Sequence, residues 1–319
     1  MIKFEQVAKI FPNGTFAVQS LNLEIKKGEF LVLIGPSGSG KTTTLKMINR
    51  LISLTEGTVL INDKKINEYD INELRWNIGY VLQQIALFPH MTIAENIAIV
   101  PELRSWKKDK IDKRIDELLQ MVGLDPEVYK NRKPNELSGG QQQRVGVLRA
   151  LAADPEILLM DEPFSALDPF SRESLQDDLL ELQQKIKKTI VFVTHDMQEA
   201  LKLGDRICVM NEGEIVQIGT PEELLYSPAN EFVQDFFGKT HHAEKRLKDL
   251  DIPLIKIETS NPEKNPLSLS TPLYEVLEQL SSEDSLPVEE NGKILGLLSR
   301  QDVLQYIAQS LKDGGKLLG

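Results

Sequence analysis

One short segment near the N-terminus constrains the fold more than any other part of the chain. Residues 35–42 read Gly-Pro-Ser-Gly-Ser-Gly-Lys-Thr and lie between an apolar run, Phe30–Ile34, and a helical stretch over residues 43–51. Glycines let successive backbone amides point inward around an anion, and a helix N-terminus adds partial positive charge. A strand, this loop and a helix in that order are typical of a phosphate site. The predicted phosphate contacts are Gly35, Pro36, Ser37, Gly38, Ser39, Gly40, Lys41, Thr42 and Thr43.

Composition limits what can surround this loop. The 319 residues are 41% hydrophobic and 27% charged, which indicates a globular chain with room for one large domain or two unequal ones. The apolar runs are far shorter than the roughly 20 residues of a membrane helix, and we expect a cytoplasmic protein without a signal peptide. A net charge of −11 argues against a nucleic-acid partner, so any phosphate must be held locally. The single cysteine, Cys208, lies in an apolar run and is expected to be buried.

The pattern of apolar residues divides the chain into two parts. Short β-branched runs alternate with longer amphipathic stretches up to Gly238, which predicts an α/β fold around a largely parallel sheet. A charged stretch and a segment rich in Pro, Ser and Asn follow. We therefore predict a domain over 1–238, a linker over 239–251 and a small α+β unit over 252–319. Candidate buried strands are Phe30–Ile34, residues 78–82, Ile157–Asp161, residues 190–194 and Arg206–Asn211.

Two of these strands end in groups that suit phosphate chemistry. Asp161 and Glu162 stand together at one strand end, where adjacent carboxylates are costly unless a cation or a proton uses them. We expect Asp161 to hold Mg²⁺ together with Thr42, and Glu162 to polarise the water that attacks a γ-phosphate. His195 ends another strand and can donate a hydrogen bond to that phosphate. Taken alone, such a histidine is more often structural, so both interpretations stay open.

A second candidate anion site precedes the acidic strand. A serine before two glycines and a helical run caps the helix and leaves the first-turn amides unobstructed. One phosphate loop needs one nucleotide, so a second anion site on the same chain suggests that it serves the nucleotide of another copy. We therefore predict a head-to-tail homodimer in which the second copy contributes Ser138, Gly139, Gly140 and Gln141.

Taken together, these motifs resemble the nucleotide-binding subunit of an ATP-binding cassette (ABC) transporter over roughly residues 1–238. Their order matches the family's Walker A loop (35–42), Q-loop (Gln83), signature (137–141), Walker B strand (through Asp161 and Glu162), D-loop (165–168) and switch histidine (His195). The resemblance implies a P-loop NTPase fold with a mixed sheet and a helical subdomain. It also implies ATP and Mg²⁺ as ligands and hydrolysis to ADP and phosphate.

The same resemblance implies roles for individual residues. Glu162 would be the catalytic base, Gln83 would join Mg²⁺ and the attacking water, and His195 would sense the γ-phosphate. Asp168 would couple the two sites across the dimer. Phe11 falls where the family places a ring that stacks on adenine, and Phe16 is a weaker candidate for that ring.

Residues 83–96 resemble the stretch that meets a helix of the membrane subunit in importers of this kind. The alternative is a plain loop and helix. The resemblance further implies integral membrane permease subunits, an extracellular substrate-binding protein and a peripheral location at the cytoplasmic face of the membrane.

The C-terminal part resembles the second half of a CBS (cystathionine β-synthase type) repeat over residues 285–304. Within this part we predict a strand over 254–257, a helix over 273–280, a hairpin around Asn291-Gly292 and a last helix that begins near Ser299. Such tails are similar to the branch that imports glycine betaine, carnitine, choline or proline. Only one repeat is found, whereas that branch commonly has two. The tail either senses ionic strength or a nucleotide, or only supports the dimer.

The sequence admits three other interpretations. The importer could carry another small solute, because a cassette subunit never touches its cargo. A soluble ABC ATPase acting on ribosomes or DNA usually has two cassettes or a long inserted coiled coil, and this chain has neither. A non-hydrolytic nucleotide sensor predicts a defective base or signature, yet Glu162, His195 and the signature at 137–141 are intact.

Overall fold

The computed structural model describes residues 1–84, 86–238, 247, 252, 266–271, 273–290 and 293–312. The strands are β1 (Ile2–Ile10), β2 (Phe16–Ile25), β3 (Phe30–Ile34), β4 (Glu56–Ile61), β5 (Lys64–Lys65), β6 (Ile78–Val81), β7 (Ile157–Asp161), β8 (Thr189–Thr194), β9 (Arg206–Asn211), β10 (Glu214–Gly219), β11 (Leu267–Ser268), β12 (Ser285–Glu290) and β13 (Lys293–Ser299). The helices are α1 (Lys41–Ile48), α2 (Ile71–Trp76), α3 (Ile93–Leu103), α4 (Lys108–Met121), α5 (Pro126–Tyr129), α6 (Gly139–Leu151), α7 (Pro169–Ile186), α8 (Met197–Leu203), α9 (Pro221–Tyr226), α10 (Glu231–Gly238), α11 (Leu273–Ser282) and α12 (Arg300–Lys312).

Among the described residues, a six-stranded sheet runs in the order β10-β9-β3-β8-β7-β6. Neighbouring strands from β9 to β6 are parallel, and β10 pairs antiparallel with β9. The predicted buried strands are confirmed, although β6 ends at Val81 rather than at residue 82 and β8 begins at Thr189 rather than at residue 190. Because parallel strands end at the same edge, the segments after β3, β7 and β8 lie together there.

A four-stranded antiparallel sheet in the order β2-β1-β4-β5 also forms, counted over the described residues, and the sequence pattern did not predict its strands. The pairing of β1 with β2 shifts register repeatedly, and Gln6 and Ser20 have φ of 49° and 42°. These irregularities break the two-residue alternation that marks a strand in sequence. Ile2, Phe4 and Val18 from this sheet are buried in one core with residues of β3 and α1.

A helical region lies between β6 and β7. The predicted helix over 107–123 is α4, and its buried face is formed by Ile111, Ile115, Leu118 and Leu119. Gly123 follows with φ of 70°, the left-handed conformation that ends a helix. In the described part of the chain, no helix is both long and apolar enough to span a membrane.

The chain divides into two compact units between Gln234 and Asp235, inside α10, and the second unit is C-terminal. Its sheet runs β11-β12-β13, with β11 parallel and β13 antiparallel to β12. Leu247, which belongs to the predicted linker, is buried in this unit's core, and the boundary predicted near residue 239 stays a prediction. Most of that linker, the predicted strand over 254–257 and the turn residues 291–292 lie outside the described residues.

The two helices predicted for this C-terminal unit are confirmed with small changes of length. The helix predicted over 273–280 is α11, which extends to Ser282. The last helix, α12, begins after Ser299, whose Oγ accepts from the backbone N–H of Asp302 at 3.1 Å and donates to Asp302 Oδ2 at 2.8 Å. The predicted pair Ser299 and Asp302 therefore caps the N-terminus of α12.

Candidate functional site

The loop over residues 35–40 is fixed by close backbone approaches that only glycine allows. Gly35 has φ of 154°, and a Cβ there would lie 2.0 Å from the carbonyl oxygen of Met210. Gly40 precedes α1 with φ of 97°, and its Cβ would lie 2.4 Å from the carbonyl oxygen of Ala17. Strands β9 and β2 therefore press on the two ends of the loop, which holds it in one conformation at the N-terminus of α1.

The Lys41 side chain is buried and turned back on this loop. Its ammonium donates to the carbonyl oxygens of Gly35 at 2.7 Å and of Pro36 at 2.8 Å, and lies 3.4 Å from Ser39 Oγ. Burial lowers the pKa of Lys41, and the negative charge of the nearby Glu162 and Asp161 opposes that shift. The loop thus holds a desolvated positive charge beside the backbone amides.

Asp161, at the end of β7, receives three groups from other elements. Thr42 Oγ1 donates to Asp161 Oδ1 at 2.7 Å, and Tyr80 Oη donates to Oδ2 at 3.3 Å. Lys46 Nζ lies 3.7 Å from the same Oδ2. Burial and the neighbouring carboxylate raise the pKa of Tyr80 well above its ordinary value. The structure therefore brings the predicted metal ligands Thr42 and Asp161 together.

Tyr80 and Lys46 were missed in the sequence analysis. Tyr80 pairs in parallel register with Leu159, two residues before Asp161, so its hydroxyl reaches the carboxylate across the sheet. A tyrosine inside an otherwise apolar strand was the available signal.

Glu162 contacts two of the other predicted catalytic residues. Gln83 Nε2 donates to Glu162 Oε2 at 3.3 Å, and His195 Nδ1 lies 3.0 Å from the same oxygen. A proton on Nδ1 would make this contact a hydrogen bond to the carboxylate. Glu162 itself has φ of 46°, a strained conformation for a residue with a side chain. Gln83 and His195, which are distant in sequence, thus converge on the Glu162 carboxylate at the edge of the sheet.

The signature residues form a helix start of their own. Ser138 Oγ accepts from the Gln141 backbone N–H at 3.3 Å, and Gln141 Oε1 accepts from the Ser138 N–H at 3.0 Å. A Cβ at Gly139 would meet no atom within 4 Å, so this turn is open on that side, whereas one at Gly140 would lie 3.3 Å from Ser171. No hydrogen bond or ion pair between described residues joins 138–141 to the phosphate loop.

The remaining predicted residues lie at the margins of the site. Asp168 caps α7, where Oδ1 accepts from the Ser171 N–H at 3.0 Å, and hydrogen bonds from Ser171 hold its pKa below the ordinary value. Phe11 lies in the turn between β1 and β2 with Lys9 Nζ 5.4 Å from its ring centroid. Phe16, the weaker candidate for the adenine ring, is 56% exposed and precedes Ala17, whose carbonyl meets Gly40.

Comparisons with known proteins agree with this geometry. A family model described as ABC transporter matches residues 18–165, and one described as CBS domain matches residues 261–309. The glycine betaine/carnitine/choline transport ATP-binding protein OpuCA of Bacillus subtilis is 51% identical over 305 residues, which cover 96% of this chain and 77% of that protein. The chain belongs to the ABC transporter ATP-binding proteins.

Other members of this family are similar over most of their length. The osmoprotectant import ATP-binding protein OsmV of Salmonella typhimurium is 48% identical over 309 residues, covering 95% of this chain and 80% of that protein. Among solved structures, the ATP-binding cassette MJ0796, a dimer in a post-hydrolysis state bound to ADP and Pi, has 40% identity and a TM-score of 0.62 over 69% of this chain and 99% of that chain. CbiO1 from Clostridium perfringens, part of the ABC transporter complex cbiONQ, has 29% identity and a TM-score of 0.66, and the match covers 76% of this chain and 97% of that chain.

These findings confirm the fold predicted from the sequence. The chain has the mixed-sheet ABC cassette with its helical subdomain, followed by a CBS-type segment. The structure assembles the Walker A, Walker B, Q-loop and switch residues at one edge of the central sheet, while the signature lies on a separate helix start.

Proposed function

We propose that this ABC transporter ATP-binding protein hydrolyses ATP to drive uptake of a quaternary-amine osmoprotectant such as glycine betaine, carnitine or choline. The hydrolytic part rests on one observation, the contact of Glu162 with both Gln83 and His195 beside the phosphate loop. The substrate class rests on the names of similar proteins, which are ATP-binding proteins for glycine betaine, carnitine, choline and osmoprotectant transport.

Binding of ATP uses groups that the loop already holds in place. The phosphates accept hydrogen bonds from the amides of residues 35–43, and Lys41 exchanges its two carbonyl acceptors for β- and γ-phosphate oxygens. Phe11 stacks on the adenine ring. The tight backbone at Gly35 and Gly40 means that little conformational entropy is lost in this step.

The residues near Asp161 fit a magnesium ion. A hydroxyl, a carboxylate and an amide oxygen are hard oxygen ligands of the type that Mg²⁺ prefers, and Thr42 Oγ1 and Asp161 Oδ1 already lie 2.7 Å apart. Thr42, Asp161 and Gln83 would hold the ion, which supplies positive charge to the phosphates when it is bound. No cluster of three or more His, Cys, Asp or Glu side chains suited to a metal occurs among the described residues.

Hydrolysis follows from the position of Glu162. The water oxygen attacks the γ-phosphorus, the bond to the β–γ bridging oxygen breaks, and the water proton passes to the Glu162 carboxylate. Gln83 and His195 hold that carboxylate from two sides, and His195 adds a hydrogen bond to the γ-phosphate.

A second copy completes the site. The turn at residues 138–141 starts α6 and is open at Gly139, where an added Cβ would meet no atom within 4 Å. We propose that it contacts the ATP of the other copy, with Asp168 coupling the two sites. The dimer of the similar cassette MJ0796 supports this arrangement.

The proposed membrane contact lies near the Q-loop. Ala86 and Phe88, from the stretch predicted to meet a membrane subunit, line a groove of about 470 Å³ together with Trp76, Leu82 and Ile99. Phe88 is 44% exposed and Leu82 is 41% exposed, which offers an apolar surface to a partner helix. We assign this groove to a helix of the permease subunits, which places the chain peripherally at the cytoplasmic face of the membrane. An extracellular substrate-binding protein delivers the solute.

Reconstitution tests the whole proposal. The full chain is combined with its permease and substrate-binding protein in proteoliposomes, and ATP-dependent accumulation of radiolabelled glycine betaine and choline is compared with that of maltose. We expect uptake of the amines alone and MgATP hydrolysis that rises when they are supplied. Hydrolysis without amine uptake would refute the substrate class, and no hydrolysis would refute the motor function itself.

A further inference from the structure

A network of charged residues connects the D-loop to the strand end that carries His195. Arg172, in the first turn of α7, donates from Nη2 to the Leu167 carbonyl oxygen at 3.3 Å. Its Nη1 lies 3.5 Å from Asp196 Oδ2, and its Nε lies 3.9 Å from Glu199 Oε1. One guanidinium therefore contacts the backbone of the D-loop and both acidic side chains at the start of α8.

The network continues from α8 to both neighbours of His195. Thr194, which precedes the histidine, donates from Oγ1 to Glu199 Oε2 at 2.6 Å. Asp196, which follows the histidine, donates its backbone N–H to Thr194 Oγ1 at 3.0 Å. Glu199 and Thr194 are buried at 5% and 2% exposure, so these bonds are shielded from water. The backbone on each side of His195 is thus tied to the acids that Arg172 contacts.

Arg172 is incompletely satisfied in this arrangement. Its Nε is buried, and no acceptor in the described part of the chain lies within hydrogen-bond distance of it. Glu199 Oε1 is 3.9 Å away. The guanidinium borders a polar cavity of about 320 Å³, also lined by Glu173, Gln176 and Lys202, which leaves room for α7 and α8 to shift. A shift of roughly 1 Å would bring Nε into hydrogen-bond range. The buried Nε–H of Arg172 lies just beyond hydrogen-bond range of Glu199 Oε1. This geometry favours a linkage that can exist with or without that hydrogen bond over an ion pair that only stabilises the fold.

We propose that Arg172 is a positioning residue that couples the D-loop to His195, and through His195 to Glu162. The inference rests on the proposed function, in which Glu162 hydrolyses ATP between two copies. When a second copy displaces the D-loop, the Leu167 carbonyl carries the movement to Arg172. Asp196 and Glu199 then transmit it to the two residues that flank His195.

A matched pair of variants tests this role in the full chain. Arg172→Gln is expected to lower kcat for MgATP about tenfold through misplacement of His195, while KM stays within about twofold. Lys202→Gln is the control, because Lys202 also bridges α8 to α7, through Asp177 at 2.7 Å. In the described part of the chain, this ion pair involves neither the D-loop nor the segment around His195. We expect the control to keep kcat within about twofold of wild type. Arg172→Lys keeps the charge but not the fork of donors, and is expected to be intermediate. Equal losses of kcat in Arg172→Gln and Lys202→Gln would mean that Arg172 only supports the packing of α7 against α8, and would overturn the proposal.

Two further measurements separate this proposal from the proposed function. In a His195→Ala background, adding Arg172→Gln is expected to change kcat less than about twofold, and additive losses would overturn the proposal. Without nucleotide, the imidazole NMR signal of His195, assigned with His195→Ala, is expected to move in Arg172→Gln and Arg172→Lys but not in Lys202→Gln. This readout does not depend on hydrolysis, so an unmoved signal refutes the coupling even if the chain is an ATPase. Conversely, full activity in Glu162→Gln refutes the hydrolytic site while leaving the NMR test intact.

Discussion

Thr42 Oγ1 donates to Asp161 Oδ1 at 2.7 Å, although the two residues are 119 positions apart in the chain. The bond joins the start of α1 to the end of β7, and it is possible only because β3, β8 and β7 lie side by side and parallel. The phosphate loop and the acidic pair are therefore held in one relative position by the central sheet.

Replacing Glu162 by glutamine tests the assigned base. Glu162→Gln keeps Lys41 and Thr42, the groups that we propose bind the nucleotide, but cannot accept the water proton. We expect kcat to fall by about 10²–10⁴-fold while ATP affinity is retained. ATP-bound dimers should accumulate, as measured by size-exclusion chromatography with light scattering. Glu222→Gln, at an exposed position of α9, is the control and is expected to leave both measurements unchanged.

Replacing Ser138 by arginine tests the site formed by two chains. Ser138→Arg puts a bulky side chain at the open turn, which should prevent closure of two copies while a single chain still binds ATP. We expect loss of ATPase activity, an unchanged affinity for a fluorescent ATP analogue, and no dimer in the Glu162→Gln background. The control, Ser227→Arg after α9, should dimerise normally. Normal ATPase activity in Ser138→Arg would contradict the two-chain site.

Two glycine-to-alanine changes should shift stability in opposite directions. Gly40→Ala forces a Cβ to 2.4 Å from the Ala17 carbonyl oxygen at φ of 97°, and we expect a loss of at least about 1–3 kcal/mol in the free energy of unfolding. Gly146→Ala lies inside α6 with no atom within 4 Å of the new Cβ, and should gain up to about 1 kcal/mol from helix propensity. Urea denaturation measures both. Equal changes in the free energy of unfolding for the two variants would contradict the close approach of the Ala17 carbonyl oxygen to Gly40.

The buried cysteine provides a pH-dependent probe of folding. Burial raises the pKa of the Cys208 thiol from 9.0 to about 12, with a small opposing effect of Arg206. The neutral thiol is therefore favoured by the fold, and this contribution to stability is complete below pH 9 and lost as the pH rises toward about 12. At about pH 8 we expect no reaction with a thiol reagent in native protein and full reaction in denaturant. Rapid labelling of native protein would contradict this burial.

The central part of the fold could be predicted from the sequence because its strands are continuous apolar runs. β3, β7 and β9 are buried on both faces, and such strands stand out without a periodic pattern. The antiparallel sheet of β1, β2, β4 and β5 could not be found in this way. Its residues are buried irregularly, and positive φ at Gln6 and Ser20 moves side chains out of simple alternation.

The candidate site shows the same division between local pattern and tertiary contact. The phosphate loop, Asp161 and Glu162 were predictable because each follows its strand directly in sequence. Contacts that depend on sheet register or on packing of two helices were not, such as those of Tyr80 with Asp161 and of Arg172 with Glu199. The sequence around Tyr80 or Arg172 does not identify the partner, because a distant part of the chain supplies it.

The contact of Lys41 with its own loop has a consequence for selectivity. The ammonium already donates hydrogen bonds to two carbonyl oxygens, so an anion gains only the difference between its own bonds and those it displaces. A single orthophosphate offers few oxygens for this exchange, whereas a triphosphate reaches the ammonium and the loop amides at once. We therefore expect the loop to release inorganic phosphate readily and to retain its affinity for the intact nucleotide.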